Sequence, residues 1–306
     1  MSAAEAGFRC AAASLERAES LAGSATNVRI WLLLEHVGPW GVTALLDARL
    51  PEGLGPALRQ RAGQLGAKIL LIRRFHSRPD TDEGLRVFAA YADGTAPRLE
   101  GGVLADPREA LDVDLESLRR GGSSGLPSVR GPDRDLFLVC TNGRHDTCCA
   151  ERGRPVARAL SEAHPEQTWE VSHVGGDRFA ANMVVLPHGL YYGRLEPDSA
   201  VAVAEAHLRG ELAPEHLRGR SSYAMPVQAA EAFLRAELGL TGIDAVRLES
   251  RTVDGDLTTT TMSAHGATYG VTVRTTRSES ELGRLTCKAG RPEPVTRHEL
   301  IEISRA

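Results

Sequence analysis

The chain has 306 residues, enough for two or three domains, and its 42% apolar and 25% charged content is that of a folded protein with a real core. This rules out a disordered chain, a collagen-like fibre and a small disulfide scaffold. An aromatic content of 5% and a net charge of -4 disfavour a stacking platform for single strands or a general nucleic-acid binder.

The first ~25 residues read as an alanine-rich helix or tail. The opening MSAAEAGFRC lacks a signal-peptide pattern, and no run nears the ~18 apolar residues of a membrane span, so a cytoplasmic location without membrane insertion is expected. Residues 27–35 (NVRIWLLLE) form a buried strand that runs into a Gly-Pro loop. Residues 51–65 carry apolar and basic residues at helical spacing, with proline near the start and Gly66 past the end. Strands follow at 67–74, 85–92 and 97–104, the last two joined by the hairpin signal Asp93-Gly94. Residues 107–120 then read as one helix.

The Gly- and Ser-rich stretch 121–131 is a linker, and beyond it a similar order returns. Strands are expected at 135–140 and 168–172, with a helix over 153–164, part of it starting near Thr147. A hairpin over 180–187 and 190–194 turns at His188-Gly189. A helix over 198–208 follows, with Asp198 or Ser199 as its N-cap. A parallel βαβ unit followed by an antiparallel ββα unit is the thioredoxin-type order. The expected fold class is therefore α/β and α+β: tandem thioredoxin-like units with mixed sheets, then a small C-terminal α+β domain. Its boundaries are 1–125, 132–212 and 222–306. The C-terminal domain holds a helix over 226–238 and strands near 244–251, 257–264 and 269–276.

The chemistry concentrates between Cys140 and Asn182. Cysteines stand at 10, 140, 148, 149 and 287, an odd count with three inside ten residues, which in a reducing compartment points to metal or redox use. Cys140 ends a strand and Cys149 lies at or just before a helix start, where unpaired N–H groups and a positive field stabilise thiolates. His173 and Asp177 (HVGGD) end the next strand, and Gly175 and Gly176 permit a tight turn. Two thiols and an imidazole therefore converge at one sheet edge. Arg144 and Arg178 flank the site, where they neutralise charge, dock a partner or form surface ion pairs, and Asn182 ties down the loop. Cys148 is turned away by helix geometry, and Cys10 and Cys287 are read as packing residues.

The spacing of Cys140 and Cys149 (C-x8-C), the SHVGG of 172–176, the RFAAN of 178–182 and the LYYGRL hairpin resemble the sucrase/ferredoxin-like family. The resemblance is strongest over 134–208. It implies a thioredoxin-like [2Fe-2S] ferredoxin domain, with Cys140 and Cys149 on one iron and His173 on the other. It also implies a one-electron carrier rather than a stand-alone enzyme, served by a separate reductase or acceptor protein. Relatives that hold a cluster place a second histidine or cysteine where Asp177 stands here. Three readings stay open: Asp177 is the fourth ligand, Cys148 or Cys287 supplies it, or the cluster is lost. A structural zinc site, a thiol redox module and a cluster-free scaffold are the alternatives in function. No pair of catalytic carboxylates or sugar-binding aromatic cluster supports sucrase activity.

Overall fold

The computed structural model describes residues 7–75, 84–131 and 134–305. Residues 1–6 of the predicted N-terminal helix or tail lie outside them. The first helix of the described chain is the short α1 (Cys10–Glu16).

The first unit contains strands β1 (Ile30–Glu35), β2 (Ala67–Arg73), β3 (Leu85–Tyr91) and β4 (Arg98–Leu104). The short helix α2 (Ala44–Asp47) and α3 (Leu54–Leu65) join β1 to β2. Gly66 ends α3 in the left-handed conformation (φ 60°), the C-cap role that glycine fills without a Cβ penalty. The predicted helix over 107–120 divides into a 3-10 turn (Pro107–Leu111) and the helix α4 (Leu115–Arg119). The cause is local. Asp106 caps the first segment and Asp114 caps the second, accepting from the Ser117 N–H, so the chain restarts rather than continues.

The second unit repeats the order with β5 (Leu136–Cys140), α5 (Thr147–Ala163), β6 (Thr168–Val171), β7 (Met183–Leu186), β8 (Leu190–Tyr192) and α6 (Pro197–Leu208). Glu196, not Asp198 or Ser199, is the N-cap of α6, because Pro197 occupies the first helical position. The Ser199 hydroxyl instead accepts from the Glu196 N–H at 3.0 Å. Strand β9 (Leu217–Arg220), absent from the sequence-based expectation, extends this half of the sheet.

The two halves form one sheet of nine strands in the order β4-β3-β1-β2-β6-β5-β7-β8-β9. Within each half the first two strands are parallel and the rest antiparallel. The halves meet at β2 and β6 over Ile72↔Val171 and Arg73↔Glu170, antiparallel. The sheet curls there, so that one face of each unit packs against the other. Trp31 and Leu33 join Leu138, Trp169 and Tyr191 in one core, with the Trp31 and Tyr191 rings 6.1 Å apart. The alternate residues Ile30, Leu32 and Leu34 turn outward under α3, and Phe137 and Val139 pack under α5 and α6. Each such leucine stabilises the fold by roughly 1.5–3 kcal/mol through burial.

The predicted linker is folded onto the first unit. The Ser124 N–H donates to buried Glu100 at 2.7 Å, and Val129 N–H donates to the Leu99 carbonyl at 3.0 Å. The C-terminal part packs α7 (Met225–Leu238) on a separate antiparallel sheet of β10 (Val246–Asp254), β11 (Leu257–Ala264), β12 (Ala267–Gly283) and β13 (Glu293–Arg305). The expected fold class is borne out. Among the described residues, no helix is long and apolar enough to cross a membrane.

One cluster in the second unit carries a pH dependence. His188 and His207 stand 3.9 and 3.5 Å from Asp135 Oδ1. Burial first, and the charge of His207 second, push His188 down to about 4. The ordinary value in an unfolded chain is about 6.5, so folding binds fewer protons at this ring. Its stability contribution is complete above pH ~6.5 and is lost as pH falls towards 4, by about 3 kcal/mol at most. Urea denaturation of His188→Gln across this window is expected to show a flatter decline than the wild type.

Candidate metal centre

Cys140 is the last residue of β5, and its neighbour in the parallel ladder is Val171 at the end of β6. The strand ends thus bring the Cys140 thiol beside the loop that carries His173. Helix α5 starts at Thr147 behind the N-cap Asp146, whose carboxylate accepts from the Cys148 N–H at 2.9 Å. Cys149 therefore lies in the first helical turn and points inward. Gly153 lets this helix sit tightly on β5, since a Cβ there would collide with the Cys140 carbonyl.

The ligand atoms of Cys140, Cys149 and His173 all lie within 4.8 Å of one another. Asp177, 4% exposed, completes the wall. Its Oδ1 stands 3.2 Å from Cys149 Sγ and 3.3 Å from His173 Nδ1. Its other oxygen is 3.7 Å from His145 Nε2. The rings of His145 and His173 stack with centroids 3.6 Å apart. The thiols are buried, whereas the two histidine side chains are 32% and 28% exposed and form the solvent side.

The electrostatics separate the two thiols. The hydrogen bond from Cys149 is the main cause that holds Cys140 well below the usual thiol range, against burial and with help from His173. The same bond, then burial, pushes Cys149 well above it. Burial lowers His173, but the Cys140 thiolate and the Asp177 charge outweigh it, so this imidazole holds a proton more tightly than usual. The site thus favours a thiolate at Cys140 facing the His173 ring. His173 Nδ1 is buried and faces Asp177 Oδ1 at 3.3 Å without hydrogen-bond geometry, which leaves it an orphaned ligand atom at the site.

The first unit roofs this centre. Asn142 Nδ2 donates to the Gly41 carbonyl at 3.1 Å, and His145 Nδ1 lies 3.1 Å from the Val42 carbonyl. A carbonyl only accepts, so Nδ1 is the donor in this contact and Nε2 is the ring nitrogen turned to the site. Lys68 of β2 donates to the Val174 carbonyl at 2.8 Å, and burial pushes its ammonium down to about 8.

The second unit and β9 fix the glycine turn. Gly175 and Gly176 have φ of 99° and 80°, and a Cβ on Gly176 would collide with the Arg218 guanidinium. Arg218, 1% exposed, donates to the Gly175 carbonyl at 2.9 Å and to Asn182 Oδ1 at 2.8 Å. Asn182 in turn donates to the Gly176 carbonyl at 2.9 Å, and its own carbonyl accepts from the Cys140 N–H. Asn182 therefore ties both strand ends together. Arg178 pairs with Glu19 at 2.5 Å rather than reaching the thiols, and Arg144 holds its loop through its N–H to Asn142 Oδ1.

Cys148 and Cys287 are placed elsewhere. One residue along a helix turns a side chain by about 100°, so Cys148 faces away from Cys149. It meets Cys287 and Cys10 instead. His145, Lys68 and Arg218 are the neighbours that sequence reasoning did not assign to the site. His145 carried a signal, as the histidine inside the Cys140–Cys149 loop. Lys68 and Arg218 carried none, being distant strand residues.

Solved structures similar to part of this chain are thioredoxin-like [2Fe-2S] ferredoxins from Aquifex aeolicus. A cysteine-to-serine variant is 24% identical, covering 27% of this chain and 96% of that one, with a TM-score of 0.25. A further structure of that ferredoxin is 22% identical over 25% of this chain and 81% of that one, with a TM-score of 0.22. Altered inheritance of mitochondria protein 32 from Meyerozyma guilliermondii is 25% identical over 96 residues, 28% of this chain. This chain spans 34% of that relative's length. Residues 21–219, which include the whole centre and both sheet halves, match the sucrase/ferredoxin-like family, and the chain belongs to that family.

Proposed function

We propose that the protein is a one-electron carrier that holds a [2Fe-2S] cluster through Cys140, Cys149, His173 and Asp177. The observation that carries this reading is the convergence of two buried thiols and an imidazole nitrogen within 4.8 Å. Three of the four donors fit, since thiolate and imidazole are the ligands that iron–sulfur clusters take, while the Asp177 carboxylate is a harder donor. The orphaned Nδ1 of His173 fits too, because an iron there satisfies it.

When bound, the cluster supplies a reversible one-electron change, at a potential raised by imidazole replacing thiolate and lowered by the carboxylate. The chain's own residues do the rest. Cys140 and Cys149 keep the sulfur side dry. His173 and His145 form the solvent-facing edge through which a separate reductase or acceptor protein makes contact. Asn182 and Arg218 hold the ligand loop in place, and Lys68 anchors it to the first unit. A cytoplasmic, reducing compartment belongs to this reading, since the thiols must stay reduced to hold the cluster. No sugar hydrolysis is proposed.

One observation favours a second ligand set. The hydrogen-bond geometry of His145 to Val42 is that of a ligating histidine, whose other nitrogen donates to a backbone carbonyl. In that set His145 replaces Asp177 beside His173. The test of the shared reading is chemical. Anaerobically purified full-length protein is expected to contain about two irons and two acid-labile sulfides per chain and to bleach on reduction. A colourless preparation that takes up no iron on reconstitution contradicts it.

A further inference from the structure

Outside this centre, three cysteines from distant parts of the chain meet at one point. Cys10 opens α1, Cys148 stands in the first turn of α5, and Cys287 lies between β12 and β13. Cys148 Sγ is 3.4 Å from Cys287 Sγ, and Cys287 Sγ is 3.5 Å from Cys10 Sγ. The carboxylate of Asp146 closes the group, with its oxygens 3.7 and 3.8 Å from Cys10 Sγ. All four ligand atoms lie within 4.8 Å of one another, and Cys10, Asp146 and Cys148 are buried.

Packing alone does not account for this geometry. A disulfide uses two sulfurs about 2.05 Å apart and leaves the third thiol without a role. Tetrahedral zinc, with Zn–S of about 2.3 Å, sets its sulfurs about 3.8 Å apart, near the spacing seen here. The fourth donor is already oriented. Asp146 accepts from the Cys148 N–H at 2.9 Å and from the Cys287 N–H at 2.6 Å. The Cys10 N–H points at Cys287 Sγ at 3.5 Å, an N–H···S contact of the kind that stabilises a bound thiolate.

We infer that Cys10, Cys148, Cys287 and Asp146 form a second metal centre, a closed structural site for one zinc ion. Binding displaces to solvent the protons that the thiols still hold and changes no oxidation state. The ion pins α1 and the β12–β13 connection to the first turn of α5, the turn that presents Cys149. This centre does not depend on the [2Fe-2S] reading.

The test uses full-length protein, zinc analysis and cobalt substitution, in the wild type and in Cys140→Ser, Cys287→Ser and Cys10→Ser. The expected result is about one tightly held zinc per chain in the wild type and in Cys140→Ser, lost in the other two. Cobalt bound to Cys140→Ser is expected to give thiolate charge-transfer absorption and the strong visible bands of a tetrahedral ion. That measurement stands even where Cys10→Ser fails to fold. The inference is overturned if Cys140→Ser binds neither metal, if Cys287→Ser keeps the full zinc content, or if peptide mapping finds Cys287 in a disulfide in the freshly isolated protein.

Discussion

Cys140→Ala and Cys149→Ala are each expected to reduce cluster iron to background while the chain stays folded. Both thiols are buried and face the same point, so no neighbouring sulfur replaces either one. Alanine removes the donor atom outright and leaves one iron short of a ligand. The fold survives because the surrounding contacts, such as the Cys140 N–H to the Asn182 carbonyl, are backbone bonds. Iron content and circular dichroism measured on the same sample separate ligand loss from unfolding. The fourth position is resolved by two further variants. If Asp177 is the ligand, Asp177→Ala loses the reduced-state paramagnetic signal and His145→Ala keeps it. If His145 is the ligand, the pattern reverses.

Glu231→Ala is expected to destabilise the protein by about 3–5 kcal/mol, because it strands two buried guanidinium groups. Glu231 Oε1 accepts from Arg220 at 3.0 Å and from Arg235 at 2.9 Å, and all three side chains are 3% exposed or less. Arg235 also donates to the Gly242 carbonyl at 2.8 Å, and both arginines donate to the Ile243 carbonyl. Arg220 belongs to β9 of the nine-stranded sheet, while Glu231 and Arg235 belong to α7 over the four-stranded sheet. The triad therefore joins the two parts of the molecule. Replacing all three residues with apolar ones of similar volume is expected to cost far less, since it removes the desolvation penalty together with the charges. Urea midpoints of the single and triple variants check both statements.

The legible part of the fold was the part with local signals. The strands 85–92 and 97–104 announced themselves through the Asp93-Gly94 turn, and α3 through Gly66. The unread parts depend on long-range pairing. β9 (LRGR) has no strand pattern, because two of its residues are arginines whose buried partners lie elsewhere in the chain. β13 is mostly exposed and interspersed with charged residues, so apolar alternation could not reveal it. The joining of the units through β2 and β6 rests on two residue pairs and leaves no trace in composition. At the centre, the residues from Cys140 to Asn182 were readable as a group because strand ends in a parallel pair must be neighbours. The roles of His145, Lys68 and Arg218 were not, since each is set by a partner far away in sequence. The meeting of Cys10, Cys148 and Cys287 is the extreme case, with partners 139 and 277 residues apart.

The most direct test of the central claim is pulsed electron paramagnetic resonance of the dithionite-reduced protein, prepared with and without nitrogen-15 histidine. The account predicts a reduced [2Fe-2S] signal with a strong coupling to histidine nitrogen that changes on labelling, and loss of the His173 contribution in His173→Ala. A reduced signal without any strongly coupled histidine nitrogen, or no signal in iron-reconstituted protein, contradicts it.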